Sequence, residues 1–91
     1  MDHLINQGIQ WVETKRAWSN SQCALKSEQK GISLDQCKAL LPYHVSSGAN
    51  VINYSPDIDE GRCILKNCPY PIPQPETSKK TYKGYHKGCS P

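Results

Sequence analysis

The chain has 91 residues, 36% of them hydrophobic, and carries 11 Lys/Arg against 8 Asp/Glu for a formal net charge of +3. A domain this small buries only about 60% of the surface its unfolded chain exposes, which predicts a single domain over residues 1–91, with its core at about 9–89, and argues against a deep substrate cavity. No run approaches the roughly 20 apolar residues of a membrane-spanning helix, and no basic n-region with an apolar h-region opens the sequence.

From the N-terminus, residues 9–18 (IQWVETKRAW) place Trp11, Val12 and Trp18 among polar residues and predict a strand or extended arm. Residues 19–31 are polar and predict turns around Cys23. Ser33 is a good helix N-cap, and Gln36 three residues later completes a capping box. Asp35 in the first turn suits the positive end of the helix dipole. The predicted helix covers Leu34 to Leu41 and stops at Pro42. Leu34, Cys37 and Leu41 stand at i, i+3 and i+7, so the Cys37 sulfur points with the leucines into the core.

Ala49 to Tyr54 (ANVINY) is rich in β-branched and aromatic residues and predicts a strand. Ser55-Pro56-Asp57 opens a turn that ends at Gly61, and Arg62 to Lys66 returns as the second arm of a hairpin. Strand alternation puts Cys63 and Leu65 on one face, where Cys63 can reach under the helix to Cys37. Pro69, Pro71, Pro73 and Pro75 then alternate, which predicts a stiff surface loop. Tyr82 and Tyr85 frame a predicted last edge strand.

Charge is unevenly placed. Residues 1–76 hold seven Lys/Arg and eight Asp/Glu, whereas residues 77–91 hold Lys79, Lys80, Lys83 and Lys87 and no acid. The C-terminal region is therefore the expected contact for an anionic partner, with Tyr82, Tyr85 and His86 available for stacking or hydrogen bonding.

Five cysteines allow fifteen ways to form two bridges and leave one thiol. Helix and strand patterns favour Cys37–Cys63. For the second bridge, Cys23 can pair with Cys89, clamping the two ends of the domain, or with Cys68. An alternative use of the same residues is a zinc site of Cys63, Cys68, His86 and Cys89 in a nucleic-acid or protein interaction module, since Cys/His tetrads suit tetrahedral zinc. The DIDEG stretch (Asp57 to Gly61) lacks the spacing of a calcium loop and predicts a solvated acidic turn. Asn53-Tyr54-Ser55 is a glycosylation sequon. No serine-nucleophile motif, phosphate-binding glycine loop or paired catalytic carboxylates occur, so no cofactor and no catalysis are expected.

SLDQC opening the helix, ANVINY after it and GRCILK returning together resemble the PAN/apple family of extracellular modules. The resemblance spans about residues 20–89. It implies an α+β fold, with one short helix on a curved antiparallel sheet and a helix cysteine bonded to a strand, as Cys37 and Cys63 are placed here. It also implies Cys23–Cys89 as the outer pair, with Cys68 as the odd thiol. The expected function is a non-catalytic extracellular or secreted adhesion module, excised from a longer chain, that recognises a protein or anionic glycan. A small secreted toxin or protease inhibitor is the other class compatible with the cysteine density.

Overall fold

The structure is a computed structural model describing residues 9–44, 46, 48–77 and 81–89; for Ile9, Gln10, Gly88 and Cys89 it describes the backbone alone. The described residues form five strands and one helix: β1 (Ile9–Thr14), β2 (Ala24–Gln29), α1 (Leu34–His44), β3 (Val51–Ser55), β4 (Arg62–Asn67) and β5 (Lys83–Cys89). The strands make a single sheet in the order β1-β5-β3-β4-β2. Every neighbouring pair is antiparallel. The helix packs across β3, β4 and β2, giving a small α+β fold stapled by two disulfides.

The capping box closes as the local sequence requires. Ser33 N–H donates to Gln36 Oε1 at 2.8 Å, and Gln36 N–H donates back to Ser33 Oγ at 3.1 Å. Pro42, however, lies inside α1 rather than ending it. It costs one hydrogen bond near the helix end, where the last carbonyls lack intrahelical partners in any case. The terminal turn is then secured from outside, as Ala49 N–H donates to the His44 carbonyl.

Two other departures from the sequence reading concern the sheet. Residues 24–29, read as turn, form edge strand β2; most of its side chains are exposed, so it carries no apolar alternation to announce it. β5, read as an edge, is interior, with β1 on one side and β3 on the other. Glycine makes that place possible. A Cβ at Gly84 would lie 2.4 Å from Thr14 Oγ1 and 2.5 Å from the Trp18 ring, so only a bare backbone lets Trp18 lie on the sheet there. At the β3–β4 turn Gly61 has φ +111°, and a Cβ there would meet the Ile32 carbonyl oxygen at 2.0 Å.

Alternation divides the side chains between two cores. On the helix side, Cys37 and Leu41 pack with Ile52, Tyr54, Cys63, Leu65 and Tyr85, and the Cys37–Cys63 bond joins α1 to β4. On the other side Trp18, Cys23, Val51 and Cys68 cluster, with Ile72 against them. The second disulfide lies here and corrects the expected pairing: Cys23 bonds Cys68, not Cys89. Cys68 is therefore not the odd thiol. Its position is set by Asn50, whose amide accepts from Cys68 N–H at 2.7 Å and donates to the Cys68 carbonyl at 2.8 Å.

The proline-rich segment is a strap over this second face. Trp18 Nε1–H donates to the Pro73 carbonyl at 2.7 Å, Gln22 Nε2 to the Gln74 carbonyl at 2.6 Å, and Thr77 N–H to the Ala17 carbonyl at 3.2 Å. The proline-rich loop is thus docked on this face by these three hydrogen bonds.

Candidate functional site

The C-terminal residues expected to form one contact surface are split by the pleat of β5. Lys83, Tyr85 and Lys87 project to the helix side, since Tyr85 belongs to the helix-side core and side chains alternate along a strand. His86 projects to the other face, where its ring meets Trp18 edge-on with centroids 6.0 Å apart. Tyr82 is buried on that second face as part of a groove wall. Lys79 and Lys80 lie outside the described residues.

The helix-side group acquires two residues that sequence order did not associate with it. Trp11 of β1 stands directly opposite Lys87 in the β1–β5 register, and Lys38 reaches over from α1. The Lys38 ammonium lies 5.5 Å from the Trp11 ring centre and 5.3 Å from that of Tyr85. The Lys87 ammonium lies 5.5 Å from the Trp11 ring centre. These are cation–π distances. Neither Lys38 nor Lys87 enters an ion pair among the described residues. Lys83 does, with Glu13 at 3.4 Å.

Glu13 and Tyr85 hold the floor of this surface. The Tyr85 hydroxyl donates to Glu13 Oε1 at 2.9 Å. That bond, followed by the Lys83 charge, lowers the Glu13 pKa from the ordinary glutamate value. Burial, followed by the same hydrogen bond, pushes the Tyr85 phenol up to about 12. At neutral pH the carboxylate is thus ionised and the phenol protonated, leaving two ammonium groups over two rings with one compensated carboxylate beside them.

Two further expectations are overturned by burial and bonding. Asn53 is only 3% exposed, and its amide is fully engaged: Oδ1 accepts from Trp18 N–H at 3.1 Å, and Nδ2 donates to the Trp18 carbonyl at 2.8 Å. A glycan on Asn53 has no room in this fold. The zinc tetrad also fails, because Cys63 and Cys68 belong to different disulfides and offer no thiolate. The DIDEG turn is held by Gly61 N–H donating to the Ile58 carbonyl, with Asp59 and Glu60 at positive φ.

The second face carries a groove of about 370 Å³ between the 17–20 corner, β2 and β4, and Tyr82. Nothing in the local sequence marks it, since its residues come from six separate stretches of chain. Neither a family model nor a curated protein nor a solved structure matches this chain.

Proposed function

We propose that this chain is an extracellular recognition module of PAN/apple type that binds an anionic glycan through Trp11, Lys38, Tyr85 and Lys87. The observation that carries the reading is the pair of ammonium groups, from α1 and β5, that enter no ion pair among the described residues and both lie 5.5 Å from the Trp11 ring. Aromatic faces accept the C–H faces of sugar rings, and ammonium groups meet sulfates or carboxylates as compact point charges. The Cys37–Cys63 bond between helix and strand supports the family reading, and two disulfides suit an oxidising compartment.

The test is salt elution from immobilised heparin. Replacing Lys38 and Lys87 together by Gln should bring the protein off at clearly lower salt than the parent chain. Replacing Lys15 and Lys26, exposed lysines outside this cluster, should change elution much less, although it removes the same formal charge. Equal shifts for the two double variants would reduce the interaction to net charge and remove the assigned surface.

A further inference from the structure

The groove on the helix-free face has chemistry of its own. Ile64, Leu25, Trp18 and Tyr82 are among its lining residues, and Lys66 and Arg62 both line it. Lys66 is only 4% exposed. Its ammonium donates to the Trp18 carbonyl at 3.1 Å and to Asn20 Oδ1 at 2.6 Å, both uncharged oxygens. It enters no ion pair among the described residues.

A buried ammonium with only neutral acceptors is costly, and that burial lowers the Lys66 pKa. Arg62 is different. Its guanidinium pairs with Glu28 and lies 4.0 Å from Asp59, yet its Nε–H is buried with no hydrogen-bond partner among the described residues. Carboxylates thus meet the Arg62 charge, and Lys66 is left as the ammonium in the lining with no carboxylate partner among the described residues. That balance fits a monoanion. A phosphate dianion would have to approach Glu28 with charge to spare.

We infer that this groove binds a small sugar acid, its carboxylate held by the Lys66 ammonium and its hydroxylated ring lying over Ile64 and Leu25. A volume of about 370 Å³ falls within the usual range of small-ligand sites. Asn20 and Ser19 among its lining residues offer hydrogen-bonding groups to the hydroxyls, and Ile64 with the exposed Leu25 offers apolar surface to the ring. This site lies on the opposite face of the sheet from the Trp11 surface and stands or falls separately from it.

The probe is glucuronate, followed by amide and indole nitrogen–proton NMR spectra of the oxidised chain at constant ionic strength. Saturable shifts should concentrate on residues 17–20 and 62–66 and on the Trp18 indole N–H. Methyl glucoside and inorganic sulfate, tested separately, should produce no comparable saturation. Lys66→Met should weaken glucuronate binding by more than about tenfold, the scale of losing one partner of a buried charge contact.

Because Lys66 also supports the 17–20 corner, Leu25→Glu provides a second arm. Leu25 lies opposite Lys66 in the β2–β4 register and is 53% exposed, so a carboxylate there repels the ligand without disturbing the core. It should weaken glucuronate by about tenfold or more as well, on the same charge-contact scale. Equal saturation by methyl glucoside or sulfate would overturn the assignment. So would shifts confined to the Trp11 surface, an absence of saturable shifts, or unchanged glucuronate affinity in folded Leu25→Glu protein.

Discussion

Asn53 shows how one side chain can organise a region remote in sequence. Its amide closes two hydrogen bonds on the backbone of Trp18, and the Lys66 ammonium adds a third contact at the Trp18 carbonyl. Trp18 and Asn53 are both nearly fully buried, so these bonds are shielded from solvent. Asn53→Ala should therefore cost about 3 kcal/mol, since a buried N–H is left unpaired in addition to the lost bonds; urea unfolding at constant slope measures it. A loss under about 0.5 kcal/mol, the scale of an ordinary surface change, would mean that the amide is not the anchor. In sequence Asn53 is visible only as a sequon, because its partner stands 35 positions away. Lys66 is likewise indistinguishable from a surface lysine until the 17–20 corner is seen to cover it. The Cys37 orientation and the Ser33–Gln36 box, by contrast, were readable because both depend on contacts within one or two helical turns.

At the level of elements, the hairpin of β3 and β4 and the start of α1 follow from local pattern, while β2, the last turn of α1 and the placement of β5 do not. β2 pairs only with β4 and exposes most of its side chains, so no apolar rhythm separates it from a turn. β5 looks like an edge because its sequence is basic and contains glycines, yet it sits between two strands with its lysines on the helix side. Gly84 is the condition for that arrangement. Gly84→Ala should destabilise the fold by about 3 kcal/mol, the upper end of ordinary overpacking, because the clashing atoms include the Arg16 carbonyl and a Trp18 ring held by hydrogen bonds. Thermal unfolding followed by near-ultraviolet circular dichroism reports both the stability and the Trp18 environment. An unchanged transition would show that the 14–18 corner moves aside freely. The pleat of β5 separates the predicted contact residues: Tyr85 and Lys87 stay with Trp11, while His86 turns toward Trp18.

For the whole molecule, the two disulfides occupy opposite faces of one sheet. Cys37–Cys63 closes a sequence separation of 26 and Cys23–Cys68 one of 45. The chain-entropy relation gives roughly 3.5 and 4 kcal/mol for loops of these lengths. Paired replacement of Cys23 and Cys68 by Ala should accordingly lower stability by about as much as paired replacement of Cys37 and Cys63. Peptide mapping of the unreduced chain should recover 23–68 and 37–63 linkages. A 23–89 linkage would contradict the fold directly, because Cys89 pairs with Ile9 at the far end of the β1–β5 ladder.

That ladder and the Cys23–Cys68 bond together determine how the domain responds to tension. Ile9 and Cys89 are register partners, so a pull on them peels β1 from β5 one hydrogen-bonded pair at a time, the geometry of a zipper. Force then passes from Cys23 to Cys68 through sulfur, and the 44 residues between them, holding β2, α1, β3 and β4, drop out of the load path. The oxidised chain can lengthen to about 120 Å, against roughly 190 Å when Cys23–Cys68 alone is reduced and about 280 Å when Cys37–Cys63 is reduced as well, at roughly 3.5 Å per extended residue. Oxidation state thus sets the reach of the domain as a tether, with the cystine acting as a strain limiter.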